Sequence, residues 1–256
     1  MTPVLTIQNG TKIIQNGVDE PRNILNKINL TINKGDFITV LGGNGAGKST
    51  LFNAITGTLS LSSGTVTLGG NDMTHLREEK RAAYISRVFQ DPKMGTAPRM
   101  TVEENMLLAL HRGKKRTLKK RELKENRDYF KELCAQIGNG LERHMTSPAG
   151  NLSGGQRQAL SLLMATMTKP DLLLLDEHTA ALDPKTARQL MTLTNERIQE
   201  NQLTCLMITH RMEDALTYGN RLILLEKGEI KLDLHAQEKA KLTLPDLLLF
   251  FEETED

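Results

Sequence analysis

The run "FITVL" (37–41) leads straight into "GGNGAGKST" (42–50), which places four glycines in nine residues beside a lysine and two hydroxyls. A continuous apolar run reads as a strand buried on both faces, and such strands occur in parallel sheets covered by helices. Glycine loses the most conformational freedom on folding, so a loop this rich in it must serve something that needs bare backbone. The spacing Gly42-x4-Gly47-Lys48-Ser49 suits a loop that wraps a phosphate chain, its N–H groups converging on the β-phosphate. A helix is predicted from about Lys48 to Thr56, with the positive end of its dipole aimed at the same anion. Lys48 then brings a point charge to the β- and γ-phosphates, and the Ser49 hydroxyl is a Mg²⁺ ligand.

The remaining pattern agrees with an α/β chain. Short β-like runs lie at 4–8, 28–32, 65–68 and 84–89, with turn signals at Asn9-Gly10, Asn16-Gly17 and Gly69-Gly70. From Thr101 to about Ile137 no strand pattern appears, and Leu123, Phe130, Leu133, Cys134 and Ile137 recur on one face at helical spacing. After Pro148, helices near 154–168 and 184–200 alternate with apolar strands at 172–176 and 205–209, a parallel-sheet pattern. A hairpin-like pair (221–226 and 229–234) turns at Lys227-Gly228. The chain therefore reads as an α/β core interrupted by a helical insertion near 95–150.

Composition narrows the partners. The chain has 256 residues, 38% hydrophobic and 25% charged, enough to bury a sizeable core. A net charge of +2 gives no argument for nucleic acid as a partner. No apolar run approaches the roughly 18 residues of a membrane span, and "MTPVLTIQNG" lacks the pattern of a signal peptide. Any membrane role has to come through a partner. Cys134 and Cys205 lie far apart and read as reduced, buried residues of a cytoplasmic protein. The stretch "RGKKRTLKKR" (112–121) holds seven basic residues in ten. It reads either as a solvated helix connection or as a contact for anionic headgroups or an acidic partner.

Two further motifs carry chemistry. "LLLLDE" (172–177) is a buried strand ending in two carboxylates, at the sheet edge where ligands of such folds collect. Asp176 would hold Mg²⁺, through water, and Glu177 would orient or deprotonate an attacking water. "NLSGGQRQ" (151–158) places Ser153, Gly154 and Gly155 at a helix start, a second anion cradle. One nucleotide does not need two cradles about a hundred residues apart in sequence; two nucleotides shared between two copies of the chain would.

With these strings the sequence resembles the ATP-binding-cassette ATPases over about residues 4–234. Gly42, Asn44, Gly45, Ala46, Gly47, Lys48, Ser49 and Thr50 fall in the family's Walker A loop. Gln90 in "VFQDP" matches its glutamine loop, Ser153, Gly155 and Gln156 its signature, Asp176 and Glu177 its Walker B and catalytic glutamate. Asp183 in "ALDP" matches the D-loop and His210 in "ITH" the switch histidine. The resemblance implies a P-loop NTPase cassette with a mixed-sheet core, an N-terminal antiparallel β subdomain and an inserted helical subdomain. It implies one ATPase domain over 1–256: core 1–94 and 150–234, helical subdomain 95–149, short tail 235–256. ATP and Mg²⁺ are the implied cofactors, with Gln90 joining Ser49 and Asp176 at the metal and Glu177, His210 and Lys48 as the catalytic set. Two cassettes, two copies or a copy and a homologue, would close head to tail, so that Ser153 and Gly155 of one meet the γ-phosphate held by Lys48 of the other.

Departures from the family pattern are also legible. No aromatic residue precedes Phe37, so Ile13 and Ile14 stand where the family stacks adenine, and GTP is expected to substitute well for ATP. His178 replaces the usual proline after the glutamate and is expected to support the site or touch a second subunit rather than act in catalysis. The short free-standing architecture looks like a bacterial importer subunit on the cytoplasmic face of the membrane, working with integral permease subunits and a substrate-binding protein. "EHTAALDP" looks like a subgroup linked to amino-acid uptake. Residues 91–110 would meet the permease, with Met94, Met100 and Met106 serving either as adaptable packing there or as core. The alternatives are an iron–sulfur-assembly ATPase of the same family and the ATPase of an exporter.

Overall fold

In the computed structural model, which describes residues 3–15, 20–114 and 122–252, the strand–loop–helix unit forms where the sequence places it. The first elements are β1 (Pro3–Ile14), β2 (Arg22–Asn33), β3 (Phe37–Leu41), α1 (Lys48–Thr56), β4 (Ser63–Leu68), β5 (Asn71–Asp72), α2 (Glu78–Arg81) and β6 (Ile85–Val88). There follow α3 (Val102–Leu110), α4 (Leu123–Ala135), α5 (Gly154–Thr166), β7 (Leu172–Asp176), α6 (Pro184–Glu200) and β8 (Cys205–Ile208). The chain continues through α7 (Met212–Thr217), β9 (Arg221–Glu226), β10 (Glu229–His235), α8 (Ala236–Lys239) and α9 (Leu244–Glu252). Two compact units divide these elements: Met1–Arg81 with Gln202–Asp256, and Ala82–Asn201.

The first unit holds an antiparallel sheet in the order β2-β1-β4-β5 and the strands β10-β9-β3-β8 of a mixed sheet. In the latter β3 runs parallel to β8 and β9, while β10 closes antiparallel on β9. Every residue of β3 and β8 is buried, as continuous apolar runs require. The run at 4–8 is the first half of β1 and that at 28–32 the last half of β2, and Asn9-Gly10 is no turn. β1 passes through it with a register shift between Ile7 and Gly10. Asn9 takes φ +50° and donates its N–H to the Asn29 side chain at 2.9 Å. A Cβ on Gly10 would come within 2.7 Å of Ile7, so the dipeptide makes a bulge. Gly69-Gly70 and Lys227-Gly228 are true two-residue turns with positive φ at all four positions, the form that matches strand twist. Asn16-Gly17 lies outside the described residues. In the tail, α9 buries Leu247 against Leu41, Ala215, Leu222 and Leu224.

The second unit pairs β6 with β7 in parallel and packs α3, α4 and α5 around Met106, Phe130, Cys134, Leu160 and Leu163. Phe130 and Cys134 are the buried members of the face read from the sequence. Both cysteines are free and buried. Residues 115–121 of the basic run lie outside the described residues. Its first member, Arg112, is structural, donating to the Ser86 hydroxyl and to the Met164 carbonyl. Of the three methionines, Met106 is fully buried core and Met94 stands 69% exposed.

Candidate functional site

The phosphate loop is shaped by close backbone approaches. A Cβ on Gly42 would lie 2.2 Å from the Leu225 carbonyl oxygen, and one on Gly47 2.7 Å from that of Ile24. Gly47 also takes φ +100° and Gly45 +79°, conformations that L side chains rarely adopt. The Gly228 N–H donates to the Ala46 carbonyl at 3.0 Å, so the β9–β10 turn props the loop from below. The Lys48 ammonium donates to the carbonyls of Gly42 and Gly43 at 2.7 and 2.9 Å, which holds its charge over the loop. No side chain caps α1, and a helix start of that kind suits an anion. Asn44 and Ser49 are exposed beside it, with Thr50 half-buried. This is a cradle that fits a phosphate chain, because side chains are excluded and cationic and N–H donors converge.

Adjacent parallel strands put other predicted residues at matching strand ends. Val40 pairs with Ile208 and the Thr209 N–H donates to the Val40 carbonyl. His210, exposed just beyond β8, therefore shares the carboxyl end of the sheet with the phosphate loop. In the second unit Val88 pairs with Leu175, which places Gln90, Asp176 and Glu177 at one end of the β6–β7 pair. Glu177 sits in the left-handed region at φ +45°, where a non-glycine residue must be held by its surroundings. In the second unit Gln90 and Asp176 offer amide and carboxylate oxygens, and in the first Ser49 offers a hydroxyl, each a hard donor of the kind Mg²⁺ takes. No group of three or more His, Cys, Asp or Glu able to hold a metal exists among the described residues.

The signature string forms the second cradle as a helix start. Ser153 caps α5, its hydroxyl accepting from the Gln156 N–H at 3.2 Å while the Gln156 side chain accepts from the Ser153 N–H. Asp183 caps α6 in the same way, accepting from the N–H groups of Lys185 and Thr186. Hydrogen bonds from Thr186, side chain first, hold the Asp183 carboxyl below the usual carboxylate range. A Cβ on Gly155 would strike Thr186 at 2.6 Å, so this glycine lets the two helix starts meet. Between them opens a cavity of about 430 Å³, lined by Ser153, Gly154, Gly155, Asp183 and Gln189 among others.

Two features escaped the sequence, Arg87 and Asn105, and so did the partner of His178, whose supporting role was expected. Asp176, expected at the metal, receives a 2.5 Å ion pair from Arg87 on β6; the lone charge inside the apolar run "YISRVF" was the available signal. His178 is only 2% exposed, and its Nε2 lies 3.0 Å from the Thr194 hydroxyl of α6. That hydroxyl gives its proton to the Leu190 carbonyl at 2.7 Å, so Nε2 carries the imidazole proton and donates. His178 is thus an internal strut behind Glu177. Asn105, fully buried, exchanges hydrogen bonds with Ala97 and donates to the Met100 and Thr101 carbonyls. It fixes the loop within the stretch expected to meet a permease.

The family model described as ABC transporter matches residues 25–180. The chain is 45% identical over 249 residues to the tyrosine transport ATP-binding protein of Clostridioides difficile (strain R20291), covering 97% of this chain and 99% of that one. It is 35% identical over 204 residues to the thiamine import ATP-binding protein of Salmonella typhimurium, covering 80% of this chain and 82% of that one. Among solved structures, a dimeric ATP-binding cassette in a post-hydrolysis state bound to ADP and Pi superposes with a TM-score of 0.77. It is 28% identical, covering 91% of this chain and 98% of that chain.

Proposed function

The chain belongs to the ABC transporter family and is one of its ATPases, and from that premise we propose that it drives solute import through a separate permease. The observation that carries this reading is the end-to-end match with a tyrosine transport ATP-binding protein, which also favours an amino acid, tyrosine or a close relative, as cargo. No helix among the described residues is long and apolar enough to cross a membrane. The proposed place of work is accordingly the cytoplasmic face, docked on integral permease subunits served by a substrate-binding protein. The single ATPase domain would span the whole chain.

In the proposed reaction Lys48 and the α1 amides bind the β- and γ-phosphates, with Gly42, Asn44, Gly45, Ala46, Gly47 and Thr50 forming the wrap. Ser49, Gln90 and Asp176 would hold Mg²⁺, which neutralises phosphate charge when bound. Glu177 orients the attacking water and accepts its proton, and His210 donates toward the γ-phosphate. Ser153, Gly155 and Gln156 of a second copy, with its Asp183, would complete the enclosure. Such catalysis consists of positioning and charge stabilisation, without a covalent intermediate.

Two experiments test the proposal. Glu177→Gln should retain ATP binding, lose about 10²–10⁴-fold in turnover and accumulate as a closed dimer; turnover at the parent rate would sink the assignment. Tagged protein recovered from gently solubilised membranes should bring down a multi-spanning subunit in stoichiometric amount, and vesicles holding that complex should take up tyrosine. Soluble partners alone would point instead to an assembly ATPase.

A further inference from the structure

The ion pair between Arg87 and Asp176 has no place in the proposed reaction, and its geometry gives it one. Leu174 is the register partner of Arg87, and Asp176 lies two residues further along β7, on the same face of the sheet. The guanidinium therefore reaches diagonally across the β6–β7 pair to Asp176 Oδ2 at 2.5 Å, with both side chains only 13% exposed. Its carbon also sits 4.8 Å from the centroid of the Phe89 ring, a face that attracts a cation. The Phe89 backbone is tied in turn, since its carbonyl accepts from the Gln158 side chain at 2.9 Å. Arg87 thus has a built seat at the strand end where Asp176, Glu177 and Gln90 gather.

We propose that Arg87 is the resident counter-cation of Asp176: it neutralises this carboxylate in the absence of a divalent ion and competes with the incoming ion for it. The inference rests on the reading of Asp176 as a cation-binding carboxylate. A partly buried carboxylate with no partner is costly, so a substitute charge stabilises Asp176 whenever no divalent ion is bound to it. The same positive charge weakens the hold on the ion, because two cations near one carboxylate repel each other at short range. Arg87 is therefore a positioning residue that sets divalent affinity and acts through Asp176.

The test measures Mn²⁺ binding by paramagnetic resonance of the free ion, using the full chain with a non-hydrolysable ATP analogue. Arg87→Met should bind Mn²⁺ about threefold to tenfold more tightly than the parent. Arg87→Lys, which keeps the charge, should stay near the parent. Equal or weaker binding by Arg87→Met overturns the proposal. Asp176→Asn separates the two levels: unchanged Mn²⁺ affinity there defeats the reading of Asp176 and the proposal with it. Weakened affinity there, with Arg87→Met unchanged, defeats the proposal alone. Should Arg87→Met not fold, the wild-type protein gives a second readout. Its Arg87 side-chain N–H resonances, assigned by their loss in Arg87→Lys, should exchange faster with water once Mg²⁺ joins the analogue. Unaltered exchange overturns competition.

Discussion

At the residue scale, His178 shows how a buried titratable group supports a neighbour it does not resemble chemically. Glu177 is held at φ +45°, and the residue after it is tied through Thr194 to α6. Removing the strut would let the glutamate relax from a strained backbone. Burial pushes the imidazole down from its ordinary 6.5 to about 4, and this has a thermodynamic consequence. The folded chain keeps His178 neutral while the unfolded chain protonates it below pH 6.5, so unfolding takes up a proton between these values. Its contribution is present in full above pH 6.5 and is lost progressively as pH falls toward 4, by about 3 kcal/mol in total. Glutamine places an amide near the position of Nε2 and does not titrate. Urea denaturation of His178→Gln should therefore show a shallower loss of stability than the parent between pH 6.5 and 4. Parallel curves for the two proteins would mean that His178 is protonated in the folded state.

At the scale of elements, glycines that look alike in the string "GGNGAGKST" do different work. Gly43 lacks a positive φ and has nothing within 4 Å of where its Cβ would stand. Gly47 combines φ +100° with a Cβ position 2.7 Å from the Ile24 carbonyl. Gly43→Ala should stay within about 0.5 kcal/mol of the parent, whereas Gly47→Ala should cost about 1–3 kcal/mol in strain and weaken nucleotide binding. Thermal midpoints and nucleotide titrations of the two variants check both halves. The loop, its strand and its helix were legible because the motif and its flanking apolar run are local. So were β7, α6 and β8, whose hydrophobic periods are unambiguous. The bulge at Asn9-Gly10 was not, since a turn dipeptide and a bulge dipeptide look the same until the partner strand supplies Asn29. Arg87 was opaque in the same way, and so was the partner of His178 though not its supporting role, because only pairing or packing brings Asp176 across the strands and Thr194 along α6. The helices α8 and α9 were too short to show periodicity, though Leu247 docks one of them.

At the scale of the whole molecule, one copy of the chain has two helix starts open to an anion, at α1 and at α5, where one nucleotide needs one. The cavity between the starts of α5 and α6 is walled by Ser153, Gly154, Gly155 and Asp183, and Ser153, Gly154 and Asp183 are exposed. A related cassette of known structure was solved as a dimer with ADP and Pi. If the signature cradle receives a γ-phosphate from a second copy, a negative charge there should block closure and leave the other cradle working. Ser153→Asp makes that change with little disturbance of the fold, because aspartate caps a helix about as well as serine and favours the positive end of the α5 dipole. The variant should keep the parent's thermal midpoint and its affinity for nucleotide as a monomer. It should fail to dimerise with ATP in the Glu177→Gln background, where the parent cradle closes, and its own turnover should no longer rise with protein concentration. Size-exclusion chromatography with and without ATP separates the outcomes. An ATP-dependent dimer of the double variant would place the signature cradle outside the closed interface and would require another role for the cavity between α5 and α6.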